Sequence, residues 1–184
     1  MESITFQMYW NQYRLIEKRM VELSDYVMIN TQNNATFSNQ FILMYLSICS
    51  EIDSLANEFC KEITSSEKER FGINNKMNLL IEKYPKLKNW KCKTKFPYEE
   101  QHFVPFAKFN ESETADWWKA YNQVKHKRTE KDESGLYNYQ KANLKNIMYS
   151  LSALFIMLSK AKEGISNKPE INIESQIFEI DFIS

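Results

Sequence analysis

The chain has 184 residues, 43% of them hydrophobic and 26% charged, enough for one folded domain with its own core. Its 24 basic residues balance 24 acidic ones, so net charge points to neither a nucleic-acid nor a membrane partner, and only local clusters can. Three glycines and four prolines exclude a Gly-rich phosphate loop and argue against a turn-rich sheet protein, while two histidines and three cysteines are too few for a zinc site.

The first residues, Met1-Glu2-Ser3-Ile4, carry neither a basic nor an apolar leader region, so no signal peptide is expected. Tyr9, Tyr13, Ile16, Met20, Leu23 and Val27 then step alternately by four and three, the spacing of an amphipathic helix with one packing seam. Arg14, Glu17, Lys18 and Glu22 fall between them and are expected to face water. After an Asn-rich link, Asn30 to Asn39, the pattern returns through Phe41, Tyr45, Ile48, Ile52, Leu55 and Phe59, with Ser38 or Asn39 as N-cap. The two helices are expected to form an antiparallel hairpin. Cys49 and Cys60 on the second are about 16 Å apart along it, too far to bridge; with Cys92 they read as reduced, packed thiols.

The stretch from about 65 to 110 is less regular. A short helix is expected over Asn75 to Lys83, stopped by Tyr84-Pro85 because the residue before proline avoids the helical region. Lys83, Lys86, Lys88, Lys91, Lys93 and Lys95 follow, interleaved with Tyr84, Trp90 and Cys92 and without an intervening acid. Basic residues among aromatics suit a single-stranded nucleic-acid surface, with Lys88, Trp90, Lys91 and Lys93 as contacts; the alternatives are a solvated face, or pairing with the acidic tail in cis or across a dimer.

A further helix is expected from about Thr114, its candidate N-cap, to Arg128, and another through Leu144, Ile147, Leu151, Leu154 and Leu158 that ends before Gly164. The tail from 169 to 184 mixes Ile171, Ile173, Ile177, Phe178, Ile180 and Phe182 with acids, and reads as an extended arm or short strand that needs an apolar groove on its own subunit or on a protein partner. The fold class is therefore all-α: an up-and-down bundle over residues 1–168 with an irregular insertion and a C-terminal arm. No apolar run approaches the ~20 residues that span a bilayer, so no membrane partner and a cytoplasmic setting are expected.

The segment Trp117 to Arg128 carries the chemistry. Trp118, Asn122 and His126 recur every four residues, which sets an indole, an amide and an imidazole along one stripe. Lys119, Lys125, Lys127, Arg128 and Lys131 surround them. A histidine among cations can act as general base or acid while the cations hold a phosphate, chemistry suited to a phosphodiester without metal or cofactor. Packing of the tryptophans and dipole compensation by the C-terminal cations account for the same residues without a ligand. The second helix carries a polar set of its own, Ser47, Ser50, Glu51, Asp53 and Ser54, whose acids Glu51 and Asp53 read on their own as solvated surface charges. No Glu-x-x-His pair supports a metal-carboxylate bundle.

Asn122 to His126, on the penultimate helix of a small bundle, resembles the HEPN superfamily (higher eukaryotes and prokaryotes nucleotide-binding), whose motif is Arg, a polar residue that is often Asn, three variable residues, then His. The wider WWKAYNQVKHKR and ANLKNIMYSLSALFIML also look like a group of uncharacterised bacterial helical proteins. Asn122 and His126 match the motif, whereas Tyr121 stands at the arginine position. The resemblance implies a bundle of four or five helices that forms a homodimer with two motif copies facing one cleft. It further implies metal-independent endoribonuclease chemistry in defence or toxin–antitoxin settings, with His126 assisting the 2′-OH or the leaving 5′-oxygen. Arg128 or Lys125 would replace the missing arginine, Glu51 of the first hairpin would orient Asn122 or His126, and Lys119, Lys127, Trp118 and Tyr121 would line the RNA. Many members of the superfamily have lost catalysis and serve as protein- or nucleotide-binding modules, the alternative for this chain.

Overall fold

A computed structural model describes residues 1–64, 72–165 and 172–181. The first residues of the expected insertion, 65–71, the start of the arm up to 171, and its last three residues, 182–184, lie outside the described residues. The described chain is mostly helical: α1 (Ser3–Ser24), α2 (Asn39–Thr64), α3 (Ile73–Lys83), α4 (Asp116–His126) and α5 (Leu144–Glu163). A small sheet accompanies them, formed by β1 (Lys91–Thr94), β2 (His102–Phe103) and β3 (Phe178–Asp181). The expectation of an all-α fold thus holds in its coarse form, with three short strands added.

α2 is the centre of the packing and touches all four other helices. The reason is its composition: Phe41, Tyr45, Ile48, Ile52, Leu55 and Phe59 are all buried, and Ile42, Met44, Cys49, Ala56 and Cys60 widen that seam. Ser38 caps the helix, its hydroxyl accepting from the Phe41 amide at 3.1 Å. α5 is more apolar still, with every residue from Ser150 to Leu158 buried, as befits a helix enclosed on all sides. Asn143 caps its N-terminus at 3.1 Å, and Gly164 closes its C-terminus. The link after α1 is tied to the start of α5, where Thr36 and Asn34 carbonyls accept from the Leu144 and Lys145 amides.

β1 is the central strand, antiparallel to β2 on one side and to β3 on the other. The tail therefore finds its groove on its own subunit, with Cys92 opposite Ile180 and Lys93 opposite Glu179. Strand alternation turns Cys92 and Thr94 inward and Lys91 and Lys93 outward.

One expectation about α1 is corrected. Glu17 does not face water: it is 1% exposed. Its carboxylate accepts from the Tyr13 hydroxyl at 2.8 Å, from the Ser175 hydroxyl, and from the Gln176 and Ile177 amides at 3.1 and 3.3 Å. A buried charge is tolerated when several donors converge on it. This one clamps the arm just before β3. Among the described residues no helix is long and apolar enough to cross a membrane.

Candidate functional site

α4 is held against the bundle by Trp117, Trp118, Ala120, Tyr121 and Val124, all buried. The Trp117 indole donates to the Pro105 carbonyl at 2.9 Å, and the Tyr45 hydroxyl donates to the Trp117 carbonyl. Thr114 is not the cap; Ala115 holds that position, and the Thr114 hydroxyl instead bonds Asn74 Oδ1 at 2.6 Å, joining α4 to α3. The helix ends at His126 rather than Arg128.

The expected stripe divides. Asn122 and His126 are exposed, about 6 Å apart along the axis, and neither side chain forms a hydrogen bond or ion pair among the described residues. Trp118 is 4% exposed and packs edge-on against Trp117 and tilted against Tyr121. Four residues advance a helix about 40° past a full turn, so two such steps rotate a stripe by about 80°. That rotation carries Trp118 into the core while Asn122 and His126 stay outside.

Tyr121 is also buried, edge-on to Tyr45 at 6.0 Å between ring centroids. Burial raises its phenol pKa, opposed by the Lys125 ammonium, which sits 5.5 Å from the ring centroid. Neither Trp118 nor Tyr121 therefore offers a free face on which a base could stack.

The surrounding cations differ in how much of their charge is engaged. Lys119 faces Glu113 and Asp116 at 3.8 and 3.7 Å, and Lys127 faces Glu130 at 3.4 Å. Arg128 is exposed and donates from Nε to the Val124 carbonyl at 3.3 Å, closing the end of α4. Lys131 covers the Tyr137 ring at 4.9 Å. Lys125 lies near the Tyr121 phenol group and the buried Cys49 thiol, and among the described residues it pairs with no acid. The outer face of α4 thus presents Asn122, Lys125 and His126 to solvent.

Glu51 lies on another side of α2. Its charge acts on Tyr9 of α1, whose hydroxyl bonds Ser54 at 2.7 Å, and its own pKa is raised by partial burial. Among the described residues no hydrogen bond or ion pair joins Glu51 to Asn122 or His126. The acid that faces α4 is Asp53, which acts on Tyr121 and pairs with Lys76 of α3 at 2.6 Å. Lys76 is only 4% exposed. A sequence signal for it existed: Ile73, Lys76, Met77 and Leu80 share the inward face of α3, so a lysine occupies a seam position and needs an acid across from it.

The second basic stretch is arranged differently. Lys91 pairs with Asp181 at 3.5 Å, Lys93 with Glu179 at 2.7 Å and Lys95 with Glu174 at 3.4 Å, so the acidic arm lies across it in cis. Lys88 and Trp90 are partly buried in and just after the 3₁₀ turn Pro85–Asn89. Cys49, Cys60 and Cys92 are buried and reduced, and burial raises all three thiol pKa values, which keeps them unreactive at neutral pH. No group of His, Cys, Asp and Glu among the described residues is arranged to hold a metal. Comparison with protein-family models, with curated proteins and with solved structures gives no match.

Proposed function

We propose that this chain is a HEPN-like helical protein that binds single-stranded RNA along the outer face of α4. The observation that carries this reading is the exposure of Asn122 and His126, one turn apart and with no side-chain partner among the described residues, beside the Lys125 ammonium. An amide and an imidazole offer donors and acceptors to a base edge or a ribose, while Lys125, Lys127 and Arg128 supply charge toward phosphates. Binding is favoured over cleavage because Tyr121, at the motif's arginine position, is turned into the core and brings no cation to a scissile phosphate. The same reading takes the protein as a cytoplasmic homodimer with two α4 faces sharing one cleft, in a bacterial defence or toxin–antitoxin role.

A second reading, metal-independent endoribonuclease, rests on the intact Asn122-to-His126 spacing. In it His126 removes the 2′-OH proton, the 2′-oxygen attacks the phosphorus, and the bond to the 5′-oxygen breaks; that oxygen takes up a proton, so the products end in 2′,3′-cyclic phosphate and 5′-OH.

Fluorescence anisotropy with labelled single-stranded RNA in EDTA separates the two. Binding that weakens with salt and drops about tenfold in Lys125→Glu, with the RNA left intact, is the expected result. Absence of binding at low salt overturns the first reading. Cleavage that leaves cyclic phosphate ends and disappears in His126→Ala moves the assignment to the second.

A further inference from the structure

A cavity of about 400 Å³ opens between the segment after β2, the first turn of α4 and the first turns of α5. That size falls within the ~300–1,000 Å³ of ordinary small-molecule sites. It is separate from the outer face of α4, because it lies at the helix's opposite end, about 15 Å along the axis from His126. One wall is apolar, formed by the half-buried Val104 and Tyr149 and the exposed Ala107, with the buried Pro105 and Trp117 supporting it. This wall is fixed from behind. The Trp117 indole is bonded to the Pro105 carbonyl at 2.9 Å, and the Tyr149 ring stands edge-on to Phe103 at 5.2 Å.

The other wall is basic. His102, Lys108 and Lys145 reach it from three different elements, against a single acid, Asp116. Asp116 is already engaged, with Lys108 at 2.5 Å and Lys119 at 3.7 Å. His102 is 3.1 Å from Glu100, which does not line the cavity. Lys145 is exposed and forms no ion pair among the described residues. The cavity therefore combines an apolar wall, with the Tyr149 ring as its one accessible aromatic, and a positive charge that no acid of the lining compensates.

We propose that this cavity binds a small organic anion, a flat apolar body of one or two rings that carries a phosphate or a carboxylate. The rings lie against Tyr149, Val104 and Ala107, and the head group is held by Lys145 with His102 as second donor. Uncharged rings lose the contact to Lys145, and inorganic phosphate alone loses the apolar wall.

Isothermal titration with four probes tests this: adenosine 5′-monophosphate, 1-naphthoate, and their uncharged counterparts adenosine and 1-naphthalenemethanol. The expected result is binding of at least one anion, with its uncharged counterpart about tenfold weaker or worse. Binding of the nucleotide alone assigns a phosphate head, and of the naphthoate alone a carboxylate. Lys145→Glu, a change at an exposed position, lowers the affinity about tenfold, and Ala107→Trp fills the cavity and removes binding. His126→Ala leaves the affinity unchanged, which separates this site from the α4 face. Failure of both anions to bind at millimolar concentration overturns the proposal. Equal binding of the uncharged counterparts, or binding indifferent to both cavity variants, overturns it equally.

Discussion

Two stretches of this chain, Lys83–Lys95 and Trp117–Arg128, have the same look in one dimension: lysines interleaved with aromatics. Folding treats them in opposite ways. On and just after β1, Lys91, Lys93 and Lys95 meet Asp181, Glu179 and Glu174 of the arm. On α4 the aromatics point inward, and Lys125 and His126 are left facing solvent. The difference teaches that a basic run signals a polyanion site only where no acidic segment lies across from it. For β1 that segment is 84 to 90 residues away in sequence, and it is held in place by Glu17.

The largest test of this contrast removes the clamp. Glu17→Ala takes one acceptor from the Tyr13 and Ser175 hydroxyls and two amides at once, so a loss of about 3 kcal/mol in urea unfolding is expected. With the arm loosened, Lys91, Lys93 and Lys95 gain free charge, and low-salt RNA affinity rises relative to the wild type. Limited proteolysis reports whether the arm has left. If the arm is released and RNA affinity stays flat, compensation by the arm is not what silences β1.

Next in size is the support beneath α4. Asp53→Ala strands the buried Lys76 ammonium, and because Asp53 itself is 46% exposed the expected loss is about 2 kcal/mol rather than the full cost of breaking a buried pair. Asp53→Ala with Lys76→Met together recovers most of it. A double variant no more stable than the single would sink the role given to the pair.

The helices were legible because their seams repeat over many turns. Tyr9, Tyr13, Ile16 and Met20 of α1, the whole Phe41-to-Phe59 series of α2, and Leu144, Ile147, Leu151, Leu154 and Leu158 of α5 are all buried as their spacing implies. What could not be read was rotational phase and long-range pairing. Glu51 and Asp53 flank the same seam residue, Ile52, about 200° apart, and nothing local says which one meets α4. Glu17 and Lys76 sit at or next to seam positions; Glu17 is satisfied by Tyr13 of its own helix together with the distant arm, and Lys76 by Asp53 of α2. β1 is four residues long, too short for its Cys92 and Thr94 alternation to outweigh the lysines.

The smallest effects separate the two stretches by pH. Behind α4, Asp132 accepts from the Ser134 hydroxyl at 2.6 Å and from Lys141 at 3.0 Å, and Lys141 in turn donates to Gln123 of α4 at 2.8 Å. The Ser134 hydrogen bond first, then Lys141, hold the Asp132 carboxyl well below the usual range. A depressed carboxyl stabilises above its unfolded value, near 4, and that contribution is lost as pH falls through the folded value. On β1 the sign reverses. The hydrogen bond to Glu179, then its charge, raises the Lys93 pKa, so the stability it contributes is present below the unfolded value, near 10.4, and is lost as pH rises through the folded one. NMR amide shifts should therefore show the Leu136 turn responding at the acid end and the Glu179 strand at the alkaline end. Asp132→Asn removes the first response and Lys93→Met the second. Both are surface effects and shift Tm only slightly. A single transition shared by the two amides would mean that the basic stretches are coupled through the core, and the contrast between them would have to be given up.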